Sequence, residues 1–331
     1  MTRSQVSLTV LGIATLVLLI VAPTVLFVLV AAVLLALFLR GGGSLLSRHL
    51  PVGDKAAVGL FILALLVTMV ALSLAFAPAI SDQIDELSTK LPEAFQSLRQ
   101  RIESVGWLNR ALDAVVPSEL PGGTAASTVS TGLASGLAAI GGFVVLGFVG
   151  LYAALDPQLY RNGLVSLLSP EIRPRANQVL DELAQTLRGW ILARLFSMAV
   201  VGVLTTLGLW AAGIPLAPAL GFISALLGFI PNLGPVLAAV PAMMLAAVQG
   251  GHSVAIVAGI YIAVQTIETY GLTPIVEQKQ VSLPPALVLG AQLLMGSLYG
   301  VFGLAIASPL AAITLVLLRE VYVGDYLEGG A

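Results

Sequence analysis

The 331-residue sequence contains no cysteine, two histidines and three tryptophans, and only 10% of it is charged. Each shortage excludes something. Without cysteine there is no disulfide framework, no iron–sulfur cluster and no thiolate zinc site. His49 lies in a short basic segment and His252 at the Gly-Gly-His end of an apolar run, a placement that builds neither a metal cluster nor a Ser–His dyad. A net charge of −2 with no basic tail gives nucleic acid no electrostatic footing. No Gly-x-x-x-x-Gly-Lys is present, so the chain is not expected to hydrolyse ATP. The sequence reads as a non-enzyme that needs no cofactor.

What is present is apolar. Hydrophobic residues make up 58% of the chain and mean hydropathy is +1.01, whereas soluble domains are about a quarter charged. Five stretches carry no charge: 4–39, 56–81, 120–155, 195–267 and 280–318. At about 20 residues per crossing they hold material for roughly eight to ten helices. The runs are continuously apolar and do not alternate, which excludes a transmembrane β-barrel. The expected fold is all-α: a polytopic helical membrane protein with about eight transmembrane helices and the lipid bilayer as its first partner. The N-terminal apolar run continues to Leu39, far beyond the ~7–15-residue core of a signal peptide.

Residues 1–80 are read as three transmembrane helices. Pro23 splits the first run into a hairpin of about 5–22 and 24–39, a basic loop runs from Arg40-Gly41-Gly42-Gly43 to Lys55, and a third span covers about 56–80. Residues 81–127 form an amphipathic insert, with Ile84, Leu87, Leu91, Phe95, Leu98, Ile102 and Val105 at helical spacing. It reads as a helix lying against the membrane, or as a lid or oligomer contact. Residues 128–155 give a Gly-rich transmembrane helix whose small residues permit close packing. Asp156-Pro157 opens a second amphipathic segment, 156–189, with the aspartate expected as a helix cap.

Residues 190–318 form the expected transport core, followed by a tail at 319–331. Two apolar blocks in this core, 216–249 and 284–318, are each too long for one crossing. The first breaks at Pro231-Asn232-Leu233-Gly234-Pro235 and the second around Gly296 to Gly303, so each reads as a helical hairpin turning at its Pro/Gly centre. With a cytoplasmic N-terminus, eleven Lys/Arg fall inside and four (Lys90, Arg99, Arg101 and Arg110) outside, which also places the C-terminus in the cytoplasm. Span plus broken block then occurs twice in opposite orientation, an arrangement used by secondary transporters.

Glu268 is the only charge between Arg194 and Glu277. A carboxylate at that depth costs about 2.5–3.5 kcal/mol on insertion scales unless it is paired or protonated. Tyr261, Gln265, Glu268 and Leu272 share one helical face, which should therefore meet protein or water. A carboxyl held there can exchange a proton, as a coupled carrier requires, or it can simply hydrogen-bond a neighbouring break. Further candidates for a solute path are Pro231, Asn232, Gly234 and Pro235, whose break leaves backbone groups to be satisfied, together with Gln292 and Gly300.

In order, Asp156-Pro157, Gly228-Phe229-Ile230-Pro231-Asn232-Leu233-Gly234-Pro235, Gln265-Thr266-Ile267-Glu268, Val281-Ser282-Leu283-Pro284 and Gly300-Val301-Phe302-Gly303-Leu304-Ala305 through Pro309 resemble the autoinducer-2 exporter (AI-2E) family of bacterial permeases. The family often has an aromatic residue where this chain has Asn232. The resemblance implies a cytoplasmic (inner) membrane transporter of about eight helices. It also implies export of autoinducer-2-like signals, or sodium/proton antiport. Three functional readings follow: a proton- or sodium-coupled exporter of a small polar molecule, a sodium/proton antiporter, and a non-transporting scaffold or sensor. A homo-oligomer fits any of them.

Overall fold

The computed structural model describes residues 3–68, 144–272 and 284–328, together with 141–142 and scattered positions from 70 to 90. The amphipathic insert expected at 81–127 lies outside the described residues apart from those few positions, as do the start of the Gly-rich span and 273–283. Among the described residues the regular structure is helical, with no strand. The chain divides into two units, Met1–Met69 with Ile140–Arg194 and Val276–Ala331, and Val70–Ala139 with Leu195–Ile275.

In the first unit, α1 (Arg3–Val21) ends at Ala22, whose φ of −141° is not helical, and α2 (Pro23–Ser47) begins with proline in its first turn. Proline suits that position because its missing N–H would be unpaired there anyway. The expected basic loop at Arg40–Gly43 is not a loop: α2 continues through it to Ser47. Helix α3 (residues 54–68) explains why. A Cβ at Gly43 would come within 2.6 Å of the Val58 side chain, and one at Gly42 would enter the Phe61 ring. The glycines are there for close helix packing, not for a turn. Arg188 closes the same segment, donating from Nη2 to Ser44 Oγ at 2.8 Å.

Helix α4 (Val144–Leu155) lays Gly150 against α2, where a Cβ would lie 2.8 Å from Leu35. It stops before Pro157, which opens α5 (Pro157–Ser166). Asp156 occupies the cap position without making a side-chain cap bond; its carboxylate instead accepts from Lys55 Nζ at 3.2 Å. The expected capping role is thereby corrected, since the lysine offers the carboxylate a full charge where the helix end offers a partial one.

Helix α6 (Arg173–Ala211) is 39 residues long, about 58 Å at 1.5 Å per residue, and runs from the polar segment straight into the expected fifth span. Its polar end is clamped by Arg161, whose guanidinium donates to both carboxylate oxygens of Asp181 at 2.6 and 2.8 Å and to Asn177 Oδ1 at 2.7 Å. After α6 come α7 (Ala217–Leu227), α8 (Leu233–Gln249) and α9 (Gly251–Thr266), all in the second unit. Their contacts are made by small and branched side chains, with Ala219, Leu220, Ala242, Ala246 and Val257 at 0% exposure. Helix α10 (Pro285–Leu317) returns to the first unit and passes into a π-helical end at Leu318–Glu328.

Both broken blocks fold back on themselves. In a straight helix, residues seven or eight apart are about 10–12 Å apart. A Cβ at Gly234 would nevertheless collide with the Leu227 carbonyl, and one at Gly303 with the Met295 carbonyl. The first block therefore turns at Pro231, and the second at Gly300, where φ is 61° and ψ −145°. Large apolar side chains line the outside, Val21, Trp210, Ile262 and Phe302 among them, each at least two-thirds exposed. Pro23–Ser47, Pro170–Ala211, Gly251–Leu272 and Pro285–Asp325 are long and apolar enough to cross a bilayer. The fold is a polytopic helical membrane fold.

Candidate functional site

The buried acid lies where a helix changes pitch. Helix α9 gives way at Ile267 to a π-helical turn, Ile267–Leu272, with Glu268 as its second residue. Such wider turns inside α-helices are frequent at functional sites. Glu268 is 7% exposed, and its Oε1 accepts a hydrogen bond of 2.6 Å from Ser197 Oγ on α6. A hydroxyl serves both protonation states of its partner: it donates to a carboxylate, and it can accept from a carboxylic acid while donating to a carbonyl one helical turn back.

Ser197 pairs with Glu268, and Gly208 lies against Ile260, where a Cβ would meet its side chain at 2.8 Å. Helices α6 and α9 are thus antiparallel over this stretch. Thr205, between these two levels on α6, is 0% exposed, and its hydroxyl has no hydrogen-bond partner among the described residues.

Tyr261 stands two turns before Glu268 on α9. Its hydroxyl lies 3.0 Å from Ser224 Oγ on α7 and donates to the Ala238 carbonyl on α8 at 3.2 Å. Ser224 and Ala238 are each seven residues from Pro231, so this one phenol ties the two arms of the first hairpin at matching heights. Gln265 donates from Nε2 to Thr269 Oγ1 at 3.2 Å, while its buried Oε1 has no partner among the described residues. The face carrying Tyr261, Gln265 and Glu268 meets protein at Tyr261 and Glu268, as a polar face in an apolar helix must.

The break itself is strained. Asn232 has φ 65° and ψ −48°, and Leu233 N–H donates to the Pro231 carbonyl at 2.7 Å. This is the positive-φ γ-turn, a rare and strained conformation for a residue with a side chain. Asn232 is exposed, Gly234 is buried against Leu227, and Pro235 lies inside the first turn of α8.

Gln292 and Gly300 belong to the first unit. Gln292 is 0% exposed and eight residues before Gly300; Ser308, eight residues after it, is 1% exposed and its hydroxyl has no partner among the described residues. Sequence reasoning did not single out Ser197, Thr205, Ser224 or Ser308. A signal was available for the first two. They are polar, eight residues apart in the charge-free part of α6, and so share one side of it.

Apolar outer faces, interrupted helical hairpins and a buried carboxylate define a helical membrane protein of the transporter class. A family model described as AI-2E family transporter matches residues 8–322, and the chain belongs to that family. Two Bacillus subtilis (strain 168) proteins are similar. "Putative transport protein YrrI" is 27% identical over 171 residues, 52% of this chain and 48% of that protein. YueF, described in the same words, is 23% identical over 257 residues, 73% of this chain and 70% of that protein. The matched region thus spans about half the length of YrrI and over two-thirds of YueF.

Proposed function

We propose that this protein is a secondary active transporter that exports a small polar molecule, of the kind represented by autoinducer-2, from the cytoplasm in exchange for protons or sodium ions. It would lie in the cytoplasmic membrane with both termini inside. The observation that carries the reading is the burial of Glu268 against Ser197 at the α-to-π transition. An acid in an apolar helix is retained at a cost, and one of its partners here is a hydroxyl able to serve both of its protonation states. The unpartnered Gln265 Oε1, one turn away, offers a solute an acceptor. Two hairpins of similar build, one after α6 and one after α9, support the inverted repeat expected of such carriers. The coupling cycle follows from these parts. Glu268 takes up a proton or cation from one side, the hairpins rearrange, and the acid releases it to the other side as the solute crosses.

The test is purified protein in liposomes with a pH gradient, read by an internal pH dye as candidate solutes and sodium are added. Glu268→Gln keeps the shape and removes the titrating proton, so coupled flux should vanish while the protein stays folded. Full flux in that variant defeats the assignment. Sodium-dependent proton movement with no organic solute present selects the antiporter reading. Loss of function on deleting 81–127, with Glu268→Gln active, selects the scaffold reading.

A further inference from the structure

The tip of the second hairpin is fastened at a point prepared by the first proline break. An α-helical carbonyl is normally capped by the N–H four residues on. Leu19 lies in the last turn of α1, which ends before the non-helical Ala22, so its carbonyl has no donor within the helix. The carbonyl is instead reached by Tyr299, whose hydroxyl donates to Leu19 O at 3.3 Å. Tyr299 immediately precedes Gly300, the apex of the hairpin, and its ring meets Phe27 of α2 edge-to-face at 5.0 Å between centroids. Phe27 is buried. The chain thus places a phenol at a turning point, beside a flexible glycine, on a carbonyl that the local sequence has deprived of its own donor.

We propose that Tyr299 is the positioning residue that latches this hairpin tip to the Pro23 break, and that the tip moves when its hydroxyl lets go. The contact suits a reversible latch. One neutral hydrogen bond contributes modestly, and the edge-on ring contact adds a comparable amount, so the closed state is favoured without being locked. On release the Leu19 carbonyl requires another donor, which gives the open state a defined cost. The latch does not depend on what Glu268 carries or on whether flux is found.

The test is hydrogen–deuterium exchange of residues 296–304 in the intact protein in lipid nanodiscs. Tyr299→Phe keeps the ring and loses the hydroxyl, and exchange in the tip should rise about twofold to tenfold, the factor set by one hydrogen bond. Exchange in the 31–47 part of α2 should stay unchanged, which separates local opening from general destabilisation. Unchanged tip exchange in Tyr299→Phe or an equal rise in α2 would each overturn the latch.

Discussion

Replacing Gly234 with alanine should unfold the first hairpin at its throat. Gly234 packs on the backbone of the opposite arm: a Cβ there collides with the carbonyl of Leu227 and comes within 3.2 Å of the Gly228 amide nitrogen. Both obstacles are main chain, in a turn already fixed by the hydrogen bond from Leu233 N–H to the Pro231 carbonyl. No side chain can rotate away. Overpacking costs about 1–3 kcal/mol, and a backbone obstacle places this case at the upper end. Gly259 is the matched control: it lies inside α9, and a Cβ there meets nothing within 4 Å. Alanine in a helix interior is favoured over glycine by about 0.5–1 kcal/mol, so Gly259→Ala should stabilise. The two variants, one methyl group each in the same unit, should move in opposite directions, separated by about 3 kcal/mol in sum. Thermal unfolding in one detergent, followed by loss of helical signal, measures both. If Gly234→Ala melts no lower than Gly259→Ala, the reversal at Pro231 is wrong.

The remaining predictions concern the acid and the break. Ser197→Ala removes the donor to Glu268 at 2.6 Å; hydrogen bonds to charged groups contribute about 1.5–3 kcal/mol, so the initial rate of proton-coupled flux should fall at least tenfold. Ser197→Thr keeps the hydroxyl and should retain most of that rate; equal loss in both variants would remove the hydrogen bond from the mechanism. Asn232→Gly relieves a positive φ of 65°, a strain of about 1–3 kcal/mol, and should raise the melting temperature. If flux falls in the same variant, the exposed amide of Asn232 serves the solute path; unchanged flux assigns it to turn geometry alone.

The features most legible in the sequence were those written as absences. Charge-free runs announced the membrane fold, and the isolation of Glu268 between Arg194 and Glu277 announced a buried acid. Prolines marked real boundaries, since Pro23, Pro157 and Pro285 each stand in the first turn of a helix. Glycines were harder to read, because one residue type serves two opposite purposes. Gly300 turns the chain through a positive φ, whereas Gly42 and Gly43 keep α2 helical and allow α3 to approach. Local sequence does not distinguish these uses; only the partner helix does. The same limit hid Ser197 and Ser224. A hydroxyl in an apolar helix often bonds its own backbone, and Ser224 does so to Leu220 at 2.8 Å while also meeting Tyr261. The π-helical turn at Glu268 was not predictable from composition, because it changes hydrogen-bond register without any breaker residue.

The two hairpins have one construction reached by different sequences, and that is a stronger sign of purpose than either break alone. In each, a glycine three residues past the apex packs on a carbonyl from the arm before it: Gly234 on Leu227 and Gly303 on Met295. A tyrosine hydroxyl donates to a main-chain carbonyl at each: Tyr261 of α9 to Ala238, seven residues past Pro231 in the first hairpin, at 3.2 Å, and Tyr299, beside the apex of the second, to Leu19 at 3.3 Å. A kink tolerated for packing alone would need neither feature, since neighbouring apolar side chains suffice to bury it. Backbone groups interrupted within an apolar layer must find partners in the protein or a wet cavity, and a hydroxyl on a single rotatable ring supplies one that can be withdrawn. At the Pro23 break Tyr299 supplies that partner, whereas in the first hairpin Tyr261 joins the two arms about two turns from the apex, meeting Ser224 on one and Ala238 on the other.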